Sequence, residues 1–275
     1  MTTDSTPRVA LVTGATQGLG RALVQGLTQR FTERDTVYLT GRDAGRVAAA
    51  AKDLGVSGEV LDVAEPGAAR RVAEQIRQRH GGIDIVFNNA VMRTGPADPP
   101  AAVIEEYVAV NNLGTTGVLR AFLPLLRDGG RAIVVASTFG SLRYLAPALH
   151  DRFDDLADLD EVDTQALRWR DAVRDGTAMA GAWPAFLNIP SKIAQVAAIR
   201  TVAAQRRSSD LERGVLLAAV CPGMINTPTS GQWWDVSGAP SPEQAAVALL
   251  DLALGPVDPA HYGELVRHGE VLPWK

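Results

Sequence analysis

Thr13-Gly14-Ala15-Thr16-Gln17-Gly18-Leu19-Gly20 closes an apolar run and opens a periodic helical stretch. A turn of this composition suits phosphate binding. Its backbone N–H groups can approach a pyrophosphate unhindered, and the positive end of the next helix faces the charge. Gly14 permits the tight turn, Gly18 the close approach, and Gly20 the packing of helix on strand. The spacing is TGxxxGxG rather than GxGxxG. Glycines at a turn are often turn formers only, but the strand before and the helix after favour a dinucleotide site. The second apolar run ends in Leu39-Thr40-Gly41-Arg42. A carboxylate there would accept from both ribose hydroxyls and repel a 2′-phosphate. Gly41 carries no charge, and Arg42 can fork to phosphate. The expected cofactor is therefore NADP(H) rather than NAD(H). Otherwise Arg42 is a surface residue opening the next helix, with Asp43 as its cap.

The elements that must position this turn are legible as alternating runs. Residues 8–13, 36–41, 59–62, 83–88, 131–137 and 215–220 read as buried strands, and 263–267 as a last one. Amphipathic stretches lie between them at 19–29, 44–54, 66–79, 103–126, 184–206 and 242–254. This alternation predicts an α/β fold: a Rossmann-like, doubly wound parallel sheet with helices on both faces. It reads as one domain over 1–275, with 1–7 a mobile tail. Residues 143–182 break the rhythm and read as a helical insertion with an acidic surface. That run lacks the alternating oxygen ligands and bend glycine of a calcium loop, and no metal site is expected.

The 275 residues are 46% hydrophobic with a net charge of −4. That length can bury one large core. No basic stripe suggests nucleic acid. No apolar run reaches the roughly 18 residues of a membrane span, and the polar start has no signal-peptide core. A lone cysteine, Cys221, allows no internal disulfide. A cytoplasmic protein acting on a small molecule is expected.

Several motifs, in order along nearly the whole chain, resemble the short-chain dehydrogenase/reductase family. Thr13 to Gly20 resembles its cofactor loop. Asp62-Val63 resembles the pair that contacts adenine, and Asn88-Asn89-Ala90 its NNAG motif, with Val91 in place of the glycine. Cys221-Pro222-Gly223, followed by Thr227, resembles the loop near the nicotinamide. The resemblance implies a catalytic set of serine, tyrosine, lysine and asparagine. Ser137 resembles the serine that bonds the substrate oxygen, although it could also serve only as a strand-end turn former. Asn111 resembles the asparagine that fixes a water behind the lysine, with Asn112 as the alternative one register on. Lys192 resembles the lysine that holds the nicotinamide ribose.

The tyrosine is missing. Four residues before Lys192 stands Asn188, and none of the four tyrosines has a lysine four residues on. An amide N–H can donate to a developing oxyanion but cannot release a proton near neutral pH. Losing positioned acid–base help costs about 10²- to 10⁴-fold. Asn188 could instead be a helix cap, with Pro190 in the first turn.

Trp183-Pro184 and the long stretch from Ser137 to Asn188 resemble the monomeric carbonyl reductases, whose insertion covers the dimerisation surface; a monomer is expected. The resemblance places Met224 over the substrate, with Met92, Phe139, Trp183, Trp233 and Trp234 as candidate walls for a bulky aromatic carbonyl. Three functions remain open at this point. They are an NADPH-dependent carbonyl reductase with altered proton delivery, a non-redox cyclase or isomerase on the same scaffold, and a catalytically silent NADP-binding protein.

Overall fold

The computed structural model describes residues 6–275. Most of the expected mobile tail thus lies outside the described residues. Pro7 is exposed, and its carbonyl accepts from Arg127 Nη1 at 2.9 Å.

In the sheet, β1 (Val9–Val12) lies between β4 (Ile83–Asn88) and β2 (Thr36–Gly41). Outward lie β3 (Ser57–Val60) beyond β2, and β5 (Leu126–Val135), β6 (Leu216–Val220) and β7 (Leu265–Arg267) beyond β4. These seven run parallel; β8 (Glu270–Leu272) closes the edge as an antiparallel hairpin with β7. This is the expected doubly wound sheet, with one short edge strand that periodicity did not reveal. Strand order reverses between β1 and β4, so the ligand crevice belongs above their carboxyl ends.

Strand alternation sends side chains into cores on both faces. Val9 and Leu11 join one, and Ala10 and Val12 the other. That double burial is why the strands read as continuous apolar runs. On one face lie α1 (Gly18–Thr28), α2 (Ala44–Leu54) and α8 (Pro242–Leu254). Asp43 caps α2 by accepting from Arg46 N at 2.7 Å, and Ser241 and Gln244 form a capping box at α8.

On the other face are α3 (Ala68–His80), α5 (Gly114–Phe122) and α7 (Asn188–Glu212). The stretch expected as one helix over 103–126 is interrupted. It runs as α4 (Pro100–Val108), a π-helical segment Ala109–Leu113, then α5 and a 3₁₀ turn. Within the breaking segment lies α6 (Leu159–Arg174), whose Asp158 cap accepts from Asp160 N and Glu161 N. Trp169 of α6 packs with Tyr107 of α4 and Ile193 of α7 in a third core, outside the sheet.

Candidate active site

The glycine turn is held from below by β4. Thr13 Oγ1 accepts from the backbone N–H of Asn89 and of Ala90, both at 2.9 Å. Asn89 Nδ2 returns bonds to Thr13 O at 2.9 Å and Gly14 O at 3.1 Å. Gly14 has φ +62°, and a Cβ there would sit 2.7 Å from Ala90 Cα. At Gly20 a Cβ would sit 2.5 Å from Asn89 Nδ2. Gly18 also has positive φ, but nothing stands within 4 Å of its Cβ position. Two glycines therefore serve packing, while Gly18 leaves open space in front of the α1 amides.

The cleft over this turn is lined by Gly14, Thr16, Gln17, Gly18, Leu19 and Gly20 from the loop, Asp62 and Val63 after β3, and Asn89 and Ala90 after β4. Arg42 and Thr227 line it too. Arg42 pairs with Glu106 at 2.9 Å, both side chains more than half exposed. A residue not expected from the sequence, Arg46, stands beside it and donates to Gln17 Oε1 at 2.6 Å. Its signal was present as a second arginine in the first turn of the helix that follows Arg42. These residues fit an extended dinucleotide: open glycine amides could face its pyrophosphate, and Arg42 and Arg46 could fork a 2′-phosphate.

A second pocket joins the first through Leu19, Asn89, Met92 and Arg93, which line both. Ser137, Asn188 and Lys192 come together in it, as do Pro222, Gly223, Met92, Phe139, Met224, Trp233 and Trp234. Trp183 does not. It is buried in the outer core against Trp169 and Phe153, because the chain turns before α7 begins. Phe186, two residues before Asn188, lines the pocket instead, edge-on to Phe139 and Trp233.

Ser137 caps a turn and also lines the pocket. Its Oγ accepts from Phe139 N at 3.3 Å, capping the turn after β5, and the residue faces the pocket. Asn188 is the first residue of α7 but not its cap, which is Leu187. The helix starts four residues later than the pattern suggested, so Pro190 falls in its first turn where no N–H partner is needed. The Asn188 side chain points elsewhere: Oδ1 accepts from Tyr107 Oη at 3.4 Å. Its Nδ2 has no protein acceptor among the described residues. Burial pushes the Tyr107 hydroxyl well above its ordinary pKa.

Lys192 is buried. Its Nζ donates to Val135 O at 3.0 Å and to Gln195 Oε1 at 2.7 Å. Burial, and then the nearby Arg93 charge, lower its pKa to about 7. Gln195 Nε2 in turn donates to Asn111 O at 2.8 Å. A side chain one helical turn past the lysine thus spans the gap to Asn111 directly. Sequence reasoning missed Gln195, although a glutamine in an otherwise apolar helix face was visible. Asn111 does not line the pocket; its side-chain amide pairs with both backbone groups of Met92, which does, at 2.7 and 2.9 Å. Asn112 points away and donates to Ser191 O at 2.9 Å.

The chain belongs to the short-chain dehydrogenase family. Residues 8–148 match the family described as short chain dehydrogenase. Carbonyl reductase (NADPH) 3 of Rattus norvegicus is 31% identical, covering 98% of this chain and 100% of that protein. Among solved structures, salutaridine reductase from Papaver somniferum superposes with a TM-score of 0.80 at 23% identity, covering 94% of this chain and 99% of that one. A short chain dehydrogenase from Burkholderia cenocepacia in complex with NADP gives 0.66 at 20% identity, with 94% and 95% covered. These structural likenesses bear on the fold.

Proposed function

We propose that this protein is an NADPH-dependent carbonyl reductase acting on a bulky aromatic carbonyl, with a proton route that does not use tyrosine. The carrying observation is the continuity of the two clefts, which lets the reactive end of a dinucleotide reach Ser137, Asn188 and Lys192. The carbonyl reductase relatives and the NADP-bound structural neighbour support the choice of cofactor. When bound, NADPH supplies the hydride that reduces the carbonyl carbon.

The chain's own groups manage the oxygen. Ser137 Oγ–H and Asn188 Nδ2–H donate to it as negative charge develops. Tyr107 orients the Asn188 amide by donating to its Oδ1. The proton that completes the alcohol comes from Lys192 Nζ, directly or through one water. An amine with pKa about 7 is half protonated at neutral pH and well matched to that task. Gln195 and Val135 O hold Nζ in place. Arg42 and Arg46 receive the 2′-phosphate. With α6 packed over α4 and α7, the protein works as a monomer in the cytoplasm; light scattering that finds a dimer would refute the first half of that statement.

The test is incubation with NADPH and a panel of aromatic ketones, following absorbance at the reduced nicotinamide band beside product mass. NADPH loss matched to products heavier by two hydrogens is expected. The absent tyrosine keeps a non-redox cyclase or isomerase as the second reading. An isomeric product with NADPH untouched would establish it, and saturable NADPH binding without any product would mark a silent binding protein.

A further inference from the structure

The second pocket has an unusual charge balance for a protein of net charge −4. Three cationic side chains line it, Arg93, Lys192 and Arg267, and no Asp or Glu does. Elsewhere arginines find carboxylates, as in Arg8–Asp35, Arg127–Asp84 and Arg200–Glu264. Neither Arg93 nor Arg267 pairs with a carboxylate among the described residues. Arg93 follows β4 and is steadied by donating from Nη1 to Thr227 Oγ1 at 3.3 Å. Arg267 ends β7, and its Nη2 lies 3.7 Å from the Cβ position of Gly223. Both therefore border the loop after β6, Arg93 at Thr227 and Arg267 at Gly223. Both arginines are exposed and line the pocket, and a guanidinium without a carboxylate partner is free to fork a planar anion. The pocket walls are aromatic: Phe186 lies 5.2 Å from Trp233 and 5.6 Å from Phe139, ring centre to ring centre.

We propose that the carbonyl substrate of this pocket is an aromatic carboxylate, its acid group held by Arg93 and Arg267 while its rings lie on Phe186 and Trp233. The identification of the carboxylate as substrate rests on the reductase reading; the anion site itself does not. Arg93 lines the dinucleotide cleft as well, but Arg42 there is paired with Glu106 and that cleft includes Asp43 and Asp62, whereas no carboxylate lines the second pocket.

The experiment compares binding of 4-benzoylbenzoate and 4-benzoylbenzamide to the intact protein saturated with NADP⁺, by calorimetry or quenching of tryptophan fluorescence. The acid is expected to bind at least about tenfold more tightly than the amide, the scale of one charge-assisted contact. The double variant Arg93→Met/Arg267→Met should bring the two ligands to near parity, while Arg93→Lys with Arg267→Lys retains part of the preference. Equal binding of acid and amide by the wild type overturns the proposal. So does a preference that survives the double methionine variant, or a double variant whose main loss is tenfold or more in NADP⁺ affinity with the acid preference intact. Acid binding with this pattern in a protein that never consumes NADPH would support the anion site and remove only the reductase reading.

Discussion

The two joined clefts are built on different terms. The dinucleotide cleft is mostly backbone: Gly14 and Gly18 at positive φ, Gly20 pressed on Asn89, and helix amides facing open space. The neighbouring pocket is mostly side chain, assembled from the loop after β4, β5, α4, α7, β7 and the loop after β6. A backbone site tolerates few substitutions but serves any ligand with the same phosphates. A side-chain site can exchange its chemistry residue by residue while the frame stays. Asn188 before Lys192, Gln195 behind it and Arg93 beside it all fall in the second kind of site.

The sharpest way to break this contrast is at Gly14. A valine there meets backbone at 2.7 Å and must adopt a left-handed φ, which alone costs about 1–3 kcal/mol. Gly14→Val should abolish NADPH binding by calorimetry and lower Tm by roughly 5–10 °C. Retained binding would mean that the turn is less backbone-determined than described.

Asn188→Tyr probes the exchangeable site. If only a proton donor is missing, ketone reduction should rise about 10²-fold, with Tm changed by only a few degrees. An unchanged rate would sink the assignment of Asn188 to the position of the family tyrosine.

Lys192 offers a pH test. An unfolded lysine titrates near 10.4, whereas this one sits at about 7 in the fold. Between those values the unfolded chain holds a proton that the native chain lacks. Stability should therefore rise with pH across roughly 7–10, by about 1 kcal/mol per unit, and the kcat should fall above pH 7 as the acid is lost. Lys192→Met should lose the stability slope. Parallel urea-unfolding profiles for both proteins across that range would show that Lys192 is not depressed.

Gln195→Val removes the contact that holds Nζ toward Asn111. We expect about a tenfold loss in kcat and a lower midpoint in the pH–rate profile, since an acceptor of the ammonium is gone. Gln195→Glu should move the midpoint up, which simple loss of packing would not do. The smallest effect belongs to Arg42→Ala/Arg46→Ala. Both arginines are exposed, so NADPH affinity should fall only about three- to tenfold, with NADH affinity unaltered.

This contrast also explains what the sequence revealed. The glycine turn, the strands and Asp43 as a cap are local, so neighbouring residues announced them. Asn188 as an unusual residue was visible from one fixed spacing. Trp183 was misplaced because whether an aromatic faces a pocket or a core depends on where α7 starts, and Pro190 allows more than one start. Phe186, Tyr107 and Arg267 escaped notice because only the fold brings them beside Ser137. The uncertainty between Asn111 and Asn112 arose where the helix leaves α geometry.

That π-helical segment acts as a length gauge. Neighbouring residues on an ordinary helix diverge by about 100°, yet here Asn111 clasps Met92 while Asn112 reaches Ser191, and both are buried. The widened turn absorbs one extra residue. Deleting a single residue between 109 and 113 would let the helix tighten, and either Tyr107 would swing out of the site or Asn111 would release the β4 loop. Breeding or trimming this protein by insertion and deletion therefore has one stretch where a change of one residue travels through two helices.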